Sequence, residues 1–301
     1  MSNEKKVILS VRDLVLQIAA TGTFIDYGSF DIALGDFVIL KGNNGSGKST
    51  FFKIFSTSAA DNYCRHARGS VCYLEGDLAQ KAVLADRSGT MPQQGVKERQ
   101  RLLRRIVYIS QEECFASYAS AESAILQATM IAIDEEPSLT AAQRKEMRAH
   151  ARSLCKYYYE KVLLAYKSFD VKSYTFKHKK ATSYSGGQQK MLSLISGLVK
   201  AEVMKSKLLL MDEPLNNLDS KNKTLFRELL EGMRKKRAAE GDPIAIMAIT
   251  HCQIFEGINK VITITVDPTV KCNTAVCVEG SLDCHRECLE DGCLGVCYLA
   301  D

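Results

Sequence analysis

Gly42-Asn43-Asn44-Gly45-Ser46-Gly47-Lys48-Ser49-Thr50 is the stretch whose reading decides the fold. It fits the pattern G-x-x-x-x-G-K-[ST], and its surroundings suit that pattern. Phe37-Val38-Ile39-Leu40 before it is an apolar run of strand length, and Ser49 to Phe55 after it opens an amphipathic helix. A polyphosphate needs many donors at close range with no Cβ in the way. Glycines allow that approach, and the loop N–H groups and helix N-terminus face the phosphates. Lys48 reaches the terminal phosphates, and Ser49 is placed to hold Mg²⁺.

Working outward, Val7 to Leu16 and Ser29 to Leu34 alternate as strands do, and Gly35-Asp36 turns the chain into the loop strand. Gly69 to Gly76 reads as a short strand, and Ala85 to Lys97 as a loop. Ile106-Val107-Tyr108-Ile109 is a buried strand that delivers Gln111. From Glu112 to Thr182 the character becomes helical. Ala121 to Ile133 has helical spacing, Pro137-Ser138 breaks it, and Thr140 to Ala165 resumes it. A helix from Gln188 to Lys200, an apolar strand from Lys207 to Met211 and a charged helix from Asn222 to Arg237 follow. Ile244 to Ile249 and Val261 to Val266 complete the core strands. Alternating strands and helices predict a mostly parallel sheet covered on both faces.

The 301 residues suffice for one large or two ordinary domains. Lys+Arg 40 against Asp+Glu 35 leaves +5, too mild a balance to argue for nucleic acid, and no direct nucleic-acid binding is expected. The polar start Met1-Ser2-Asn3-Glu4-Lys5-Lys6 predicts no secretory signal. No apolar run approaches the ~20 residues of a membrane helix, so work at a membrane would require a separate spanning chain.

Two further stretches carry chemistry. Leu208-Leu209-Leu210-Met211-Asp212-Glu213-Pro214 is an apolar strand ending in two carboxylates. Buried carboxylates are costly unless they meet a cation or a proton-transfer task. Asp212 is the candidate metal contact and Glu213 faces an attacking water. Tyr184-Ser185-Gly186-Gly187-Gln188-Gln189 is, by itself, only a helix N-terminus with small residues. Its place about two dozen residues before the acidic strand gives it weight.

The order of phosphate loop, Gln111, Ser185-Gly186-Gly187-Gln188, Asp212-Glu213, Leu218-Asp219 and His251 resembles that of the ABC-type ATPases, over roughly residues 7 to 266. The resemblance implies an α/β fold: a P-loop NTPase core with a mostly parallel sheet, an N-terminal antiparallel β subdomain and an inserted helical subdomain at 112–184. It implies ATP and Mg²⁺, with Ser49, Gln111 and Asp212 as metal contacts. Glu213 would be the general base, His251 the γ-phosphate contact and Lys48 the phosphate-charge partner. Ser185, Gly186, Gly187 and Gln188 would close on the nucleotide of a second subunit, so a homodimer or a heterodimer with another ABC subunit is implied. The family further implies a transporter subunit powering membrane-spanning permease partners from the cytoplasmic face. A soluble mechanochemical ATPase acting on nucleic acid, a ribosome or a protein is the alternative.

The chain departs from the family pattern in places. Where many members stack adenine on an aromatic residue after the first strand, it has Leu16-Gln17-Ile18, with Phe24 and Tyr27 as substitutes. Tyr184 stands where a leucine is usual. Of eleven cysteines, Cys272, Cys277, Cys284, Cys288, Cys293 and Cys297 crowd the segment 267–301, read as a cysteine-rich tail. A reduced tail, a zinc or iron–sulfur site with His285 nearby, and disulfides all remain open for it.

Overall fold

The computed structural model describes residues 6–55, 64–74, 81–85, 105–111, 115, 119–165, 178–251, 254–266 and 272–279. Among the described residues ten strands form one sheet, in the order β5-β4-β1-β2-β10-β9-β3-β8-β7-β6. Its parallel half comprises β3 (Phe37–Gly42), β6 (Ile106–Ile109), β7 (Leu208–Asp212), β8 (Ala245–Ile249) and β9 (Lys260–Val266). The other half holds β1 (Val7–Ile18), β2 (Phe24–Ala33), β4 (Cys64–Leu74) and β5 (Lys81–Ala85), paired antiparallel.

β10 (Cys272–Glu279) joins the halves, antiparallel to β9 and parallel to β2. The sheet therefore continues past residue 266, and the stretch carrying Cys272 and Cys277 is a strand of it. Cysteine crowding hid an alternating segment, Asn273-Thr274-Ala275-Val276-Cys277-Val278, of ordinary strand character. Cys284, His285, Cys288, Cys293 and Cys297 lie outside the described residues. Among the described residues no group of three or more His, Cys, Asp or Glu is placed to hold a metal.

The parallel strands bury both faces, and their alternation sorts the core in two. Phe37, Ile39, Val107, Ile109, Leu209, Met211, Ile246 and Ala248 pack on one side with the helices α2 (Ala121–Asp134), α3 (Ala141–Ala165), α4 (Gly186–Val203) and α5 (Ser220–Ala239). Val38, Leu40, Ile106, Leu208, Leu210, Met247 and Ile249 point the other way, onto α1 (Lys48–Lys53) and the antiparallel strands. Gly197 lets α4 lie directly on β6, because a Cβ there would stand 2.3 Å from Ile109 Cδ1. No helix among the described residues is long and apolar enough to cross a membrane.

Candidate nucleotide site

Sheet register brings the motifs together. Leu40 and Asp212 both pair with Ile249, and Met211 pairs with Ile109. The carboxyl ends of β3, β8, β7 and β6 therefore finish level. The next residues along each strand are the phosphate loop, Thr250-His251, Glu213 and Ser110-Gln111. Loops at the carboxyl ends of parallel strands are where such sheets bind ligands.

The loop strand turns at Gly42 with φ 145°, where a Cβ would meet Ile264 O at 2.5 Å. Gly45 and Gly47 are also left-handed, at 79° and 107°. Asn43, Asn44 and Gly45 are exposed, whereas Ser46, Gly47 and Lys48 are buried, and Ser49 and Thr50 half-buried at the helix start. Glycine at 47 meets two demands, since a side chain would also strike Ile25 Cδ1 at 2.1 Å. Lys48 Nζ donates to Gly42 O at 2.6 Å and Asn43 O at 3.0 Å, folding back over the loop. Burial lowers its pKa, and the charges of Glu213 and Asp212 oppose that. An ammonium kept buried between loop carbonyls and two carboxylates is poised for an anionic ligand.

Asp212 is buried, and Tyr108 OH donates to its Oδ2 at 3.3 Å. Burial raises its pKa, opposed by the neighbouring Ser49 and Tyr108 hydroxyls and by Lys48. Its Oδ1 is buried with no hydrogen-bond partner among the described residues. Glu213 follows in a left-handed conformation, φ 46°, an unfavourable region for a residue with a Cβ. Its N–H still donates to Ile249 O at 2.9 Å, so the strand's last bond holds the turn. His251 Nε2 faces Glu213 Oε1 at 3.4 Å. Burial and the neighbouring Asp212 push the Glu213 carboxyl up to about 7, with Lys48 and Lys190 opposing. Burial, Lys48 and Lys41 lower the pKa of His251. The pair is thus a carboxyl that ionises near neutrality and an imidazole that favours its neutral form, an arrangement suited to proton transfer from water.

Ser185 caps α4. Its Oγ accepts from Gln188 N–H, and its own N–H donates to Gln188 Oε1 at 3.0 Å, a reciprocal capping box. Ser185 and Gly186 are exposed, leaving the helix start open to an anion. Gly187 packs on the turn that precedes α5: a Cβ there would come to 3.0 Å from Asn217 O, and Asn217 itself is left-handed at 63°. Asp219 caps α5 by accepting from Asn222 N–H at 2.8 Å. Tyr184 is buried against α3, its hydroxyl 3.0 Å from that of Tyr159, which accounts for an aromatic residue at this position.

Three contacts escaped the sequence reading. Tyr27 is not available for stacking on a base: it is buried beneath the loop, with its hydroxyl donating to Gly47 O at 2.7 Å and its ring 5.1 Å from that of Phe51. The inward alternation of Ile25 and Tyr27 signalled it. Phe24 is exposed at the start of β2. Tyr108 braces Asp212, as described. Lys190, buried on α4, donates to Ser110 O and Gln111 O at 3.2 and 2.9 Å, and thereby holds the Gln111 segment from above. A lysine on an otherwise apolar helical stripe was its sign in the sequence.

A parallel sheet with a phosphate loop, an acidic strand end and a switch-like histidine defines a P-loop nucleoside triphosphatase. The family model described as ABC transporter matches residues 25–216, and the chain belongs to that family. It is an ATP-binding cassette with ATPase activity. No curated protein matches the chain at the level of sequence. Among solved structures, a bacterial ABC transporter cassette in dimeric form is 18% identical with a TM-score of 0.55, covering 86% of this chain and 94% of that one. A post-hydrolysis state of the same cassette, bound to ADP and Pi, is 19% identical with a TM-score of 0.54, covering 85% and 94%. The cbiO1 protein of Clostridium perfringens, part of the ABC transporter complex cbiONQ, is 21% identical with a TM-score of 0.56, covering 86% and 85%. These likenesses show the shared fold.

Proposed function

We propose that the chain is the ATP-hydrolysing subunit of a membrane transporter, acting from the cytoplasmic face as a dimer and driving separate membrane-spanning partners. One observation carries the reading. The chain holds a complete phosphate cradle at the strand ends and, on another helix, an open capped N-terminus at Ser185-Gly186-Gly187. The second element supplies anion donors without a Lys48 of its own, so it serves a nucleotide held by another copy or by a related subunit. Binding of ATP then closes the pair, and hydrolysis releases it.

Within one site the residues divide the work. Loop N–H groups and Lys48 hold the phosphates. Ser49 and Asp212 fit Mg²⁺, since the Asp212 Oδ1 is buried and lacks a hydrogen-bond partner among the described residues, and Gln111 completes the set. Bound there, Mg²⁺ neutralises phosphate charge. Glu213 takes the proton of the attacking water, and His251 orients the carboxylate or contacts the γ-phosphate.

The transporter reading also draws support from a groove of about 440 Å³ on the helical subdomain, close in sequence to Gln111. Ser120, Glu122, Ser123, Leu126, Met130 and Arg152 line it, a mixture of apolar and charged side chains suited to a protein segment. Glu213→Gln, which retains ATP and the closed dimer, is the bait for affinity capture from solubilised cells. Membrane proteins among its partners bear out the reading. Capture of ribosomes, DNA or soluble proteins alone overturns it in favour of a soluble mechanochemical ATPase.

A further inference from the structure

Lys190 sits five residues after Ser185 on α4 with 1% of its surface exposed. Lysine is almost never buried unless it is partnered, because an ammonium loses its hydration there. Its neighbours along the helix, Met191, Leu194, Ile195 and Leu198, are apolar core, so an uncharged side chain would meet the packing demand of this position. Besides a charge that opposes the rise of the Glu213 pKa, the ammonium adds a grip on two carbonyls, Ser110 at 3.2 Å and Gln111 at 2.9 Å. Those residues are the first two beyond the last paired residue of β6. The strand ladder no longer holds them.

We propose that Lys190 is a positioning residue for ATP hydrolysis, clamping the Gln111 backbone to the helix whose N-terminus carries Ser185-Gly186-Gly187. Two sites are thereby joined inside one chain. Gln111 serves the chain's own nucleotide, whereas the head of α4 addresses a nucleotide held elsewhere. A shift of α4 on docking is transmitted to Gln111 directly, through a contact of less than 3 Å. Lower on the same helix, close packing of Gly197 on Ile109 ties α4 to β6, so helix and strand end form one lever. The inference rests on the reading of Gln111 as a catalytic contact.

The test compares Lys190→Met, Lys190→Arg, Gln111→Ala and the double variant Lys190→Met/Gln111→Ala in the full-length chain. ATP affinity by calorimetry, steady-state hydrolysis and the unfolding midpoint are measured for each. Measured well above pH 7, where Glu213 is ionised with or without the Lys190 charge, Lys190→Met is expected to lower kcat about tenfold or more while ATP affinity stays within about twofold, a loss confined to the transition state. Lys190→Arg keeps a donor for both carbonyls and recovers most of the rate. The double variant is no slower than Gln111→Ala alone, since both changes break one linkage. A wild-type kcat in Lys190→Met overturns the proposal. So does a parallel fall of affinity, rate and unfolding midpoint, which would mark plain structural support, and so do losses that multiply in the double variant. Should Lys190→Met not fold, Lys190→Gln takes its place, retaining one donor, with an intermediate kcat expected and a wild-type kcat overturning. A wild-type rate in Gln111→Ala sinks the reading of Gln111, and the inference with it.

Discussion

Glu213→Gln should remove hydrolysis and, at alkaline pH, make the nucleotide-free protein more stable. The two effects share one cause. Burial and the adjacent Asp212 push the Glu213 carboxyl from 4.5 up to about 7. A carboxyl raised in the folded state contributes most below its unfolded pKa, and that contribution is lost as pH climbs through the folded value. Above pH 7 the folded chain holds a penalised carboxylate, which costs roughly 3 kcal/mol at pH 8 and less than about 1 kcal/mol at pH 5. Glutamine is nearly isosteric and carries no charge, so the variant escapes the penalty. Thermal unfolding without nucleotide should show Glu213→Gln melting about 3 to 6 °C above the wild type at pH 8, with little difference at pH 5. Steady-state hydrolysis at saturating ATP should fall about 10²- to 10⁴-fold, the usual scale for a lost general base. Equal melting of the two proteins at pH 8 would refute the electrostatic reasoning. Turnover within a few-fold of wild type would refute the assignment of the base.

The same carboxyl sets the acid limb of the rate. Since Glu213 acts deprotonated, kcat should rise with pH to a midpoint near 7 in the wild type, and that limb should vanish from the residual rate of Glu213→Gln. Gly47→Ala forces a Cβ onto Ile25 at a φ of 107°. It should destabilise the fold by on the order of 2 kcal/mol and abolish ATP binding, read by denaturant unfolding and calorimetry. Tyr27→Phe removes only the hydroxyl that reaches Gly47 O. It should cost about 1 kcal/mol of stability and weaken ATP binding several-fold without changing the pH profile.

The parallel core was readable because its strands, buried on both faces, are nearly continuous apolar runs. Phe37 to Leu40 and Leu208 to Met211 admit little other reading. The phosphate loop, acidic strand end and capped Ser185 were legible because phosphate chemistry demands particular residue types at fixed spacing. Contacts that depend on a side chain crossing between elements were not. Lys190 and Gln111 are 79 positions apart, and Tyr27 and Gly47 are 20 apart, so neither pair leaves a local pattern. β10 stayed hidden for another reason. Its place in the middle of the sheet is decided by pairing with β2 and β9, and cysteine crowding drew attention to metal chemistry instead. The left-handed turn at Glu213 has no signature either, since an acidic residue there conflicts with local preference and is held by the Ile249 carbonyl.

Mixing two inactive variants tests the shared nucleotide site most directly. Lys48→Ala removes the phosphate cation, and Ser185→Arg blocks the helix head. In a mixed pair, the intact loop of one chain meets the intact Ser185 of the other, restoring one composite site. An equimolar mixture is predicted to recover hydrolysis to about a quarter of the wild-type rate, because half the pairs are mixed and each has one working site of two. A mixture no more active than its two components measured separately would contradict the account, for it would mean that each chain completes its nucleotide site alone.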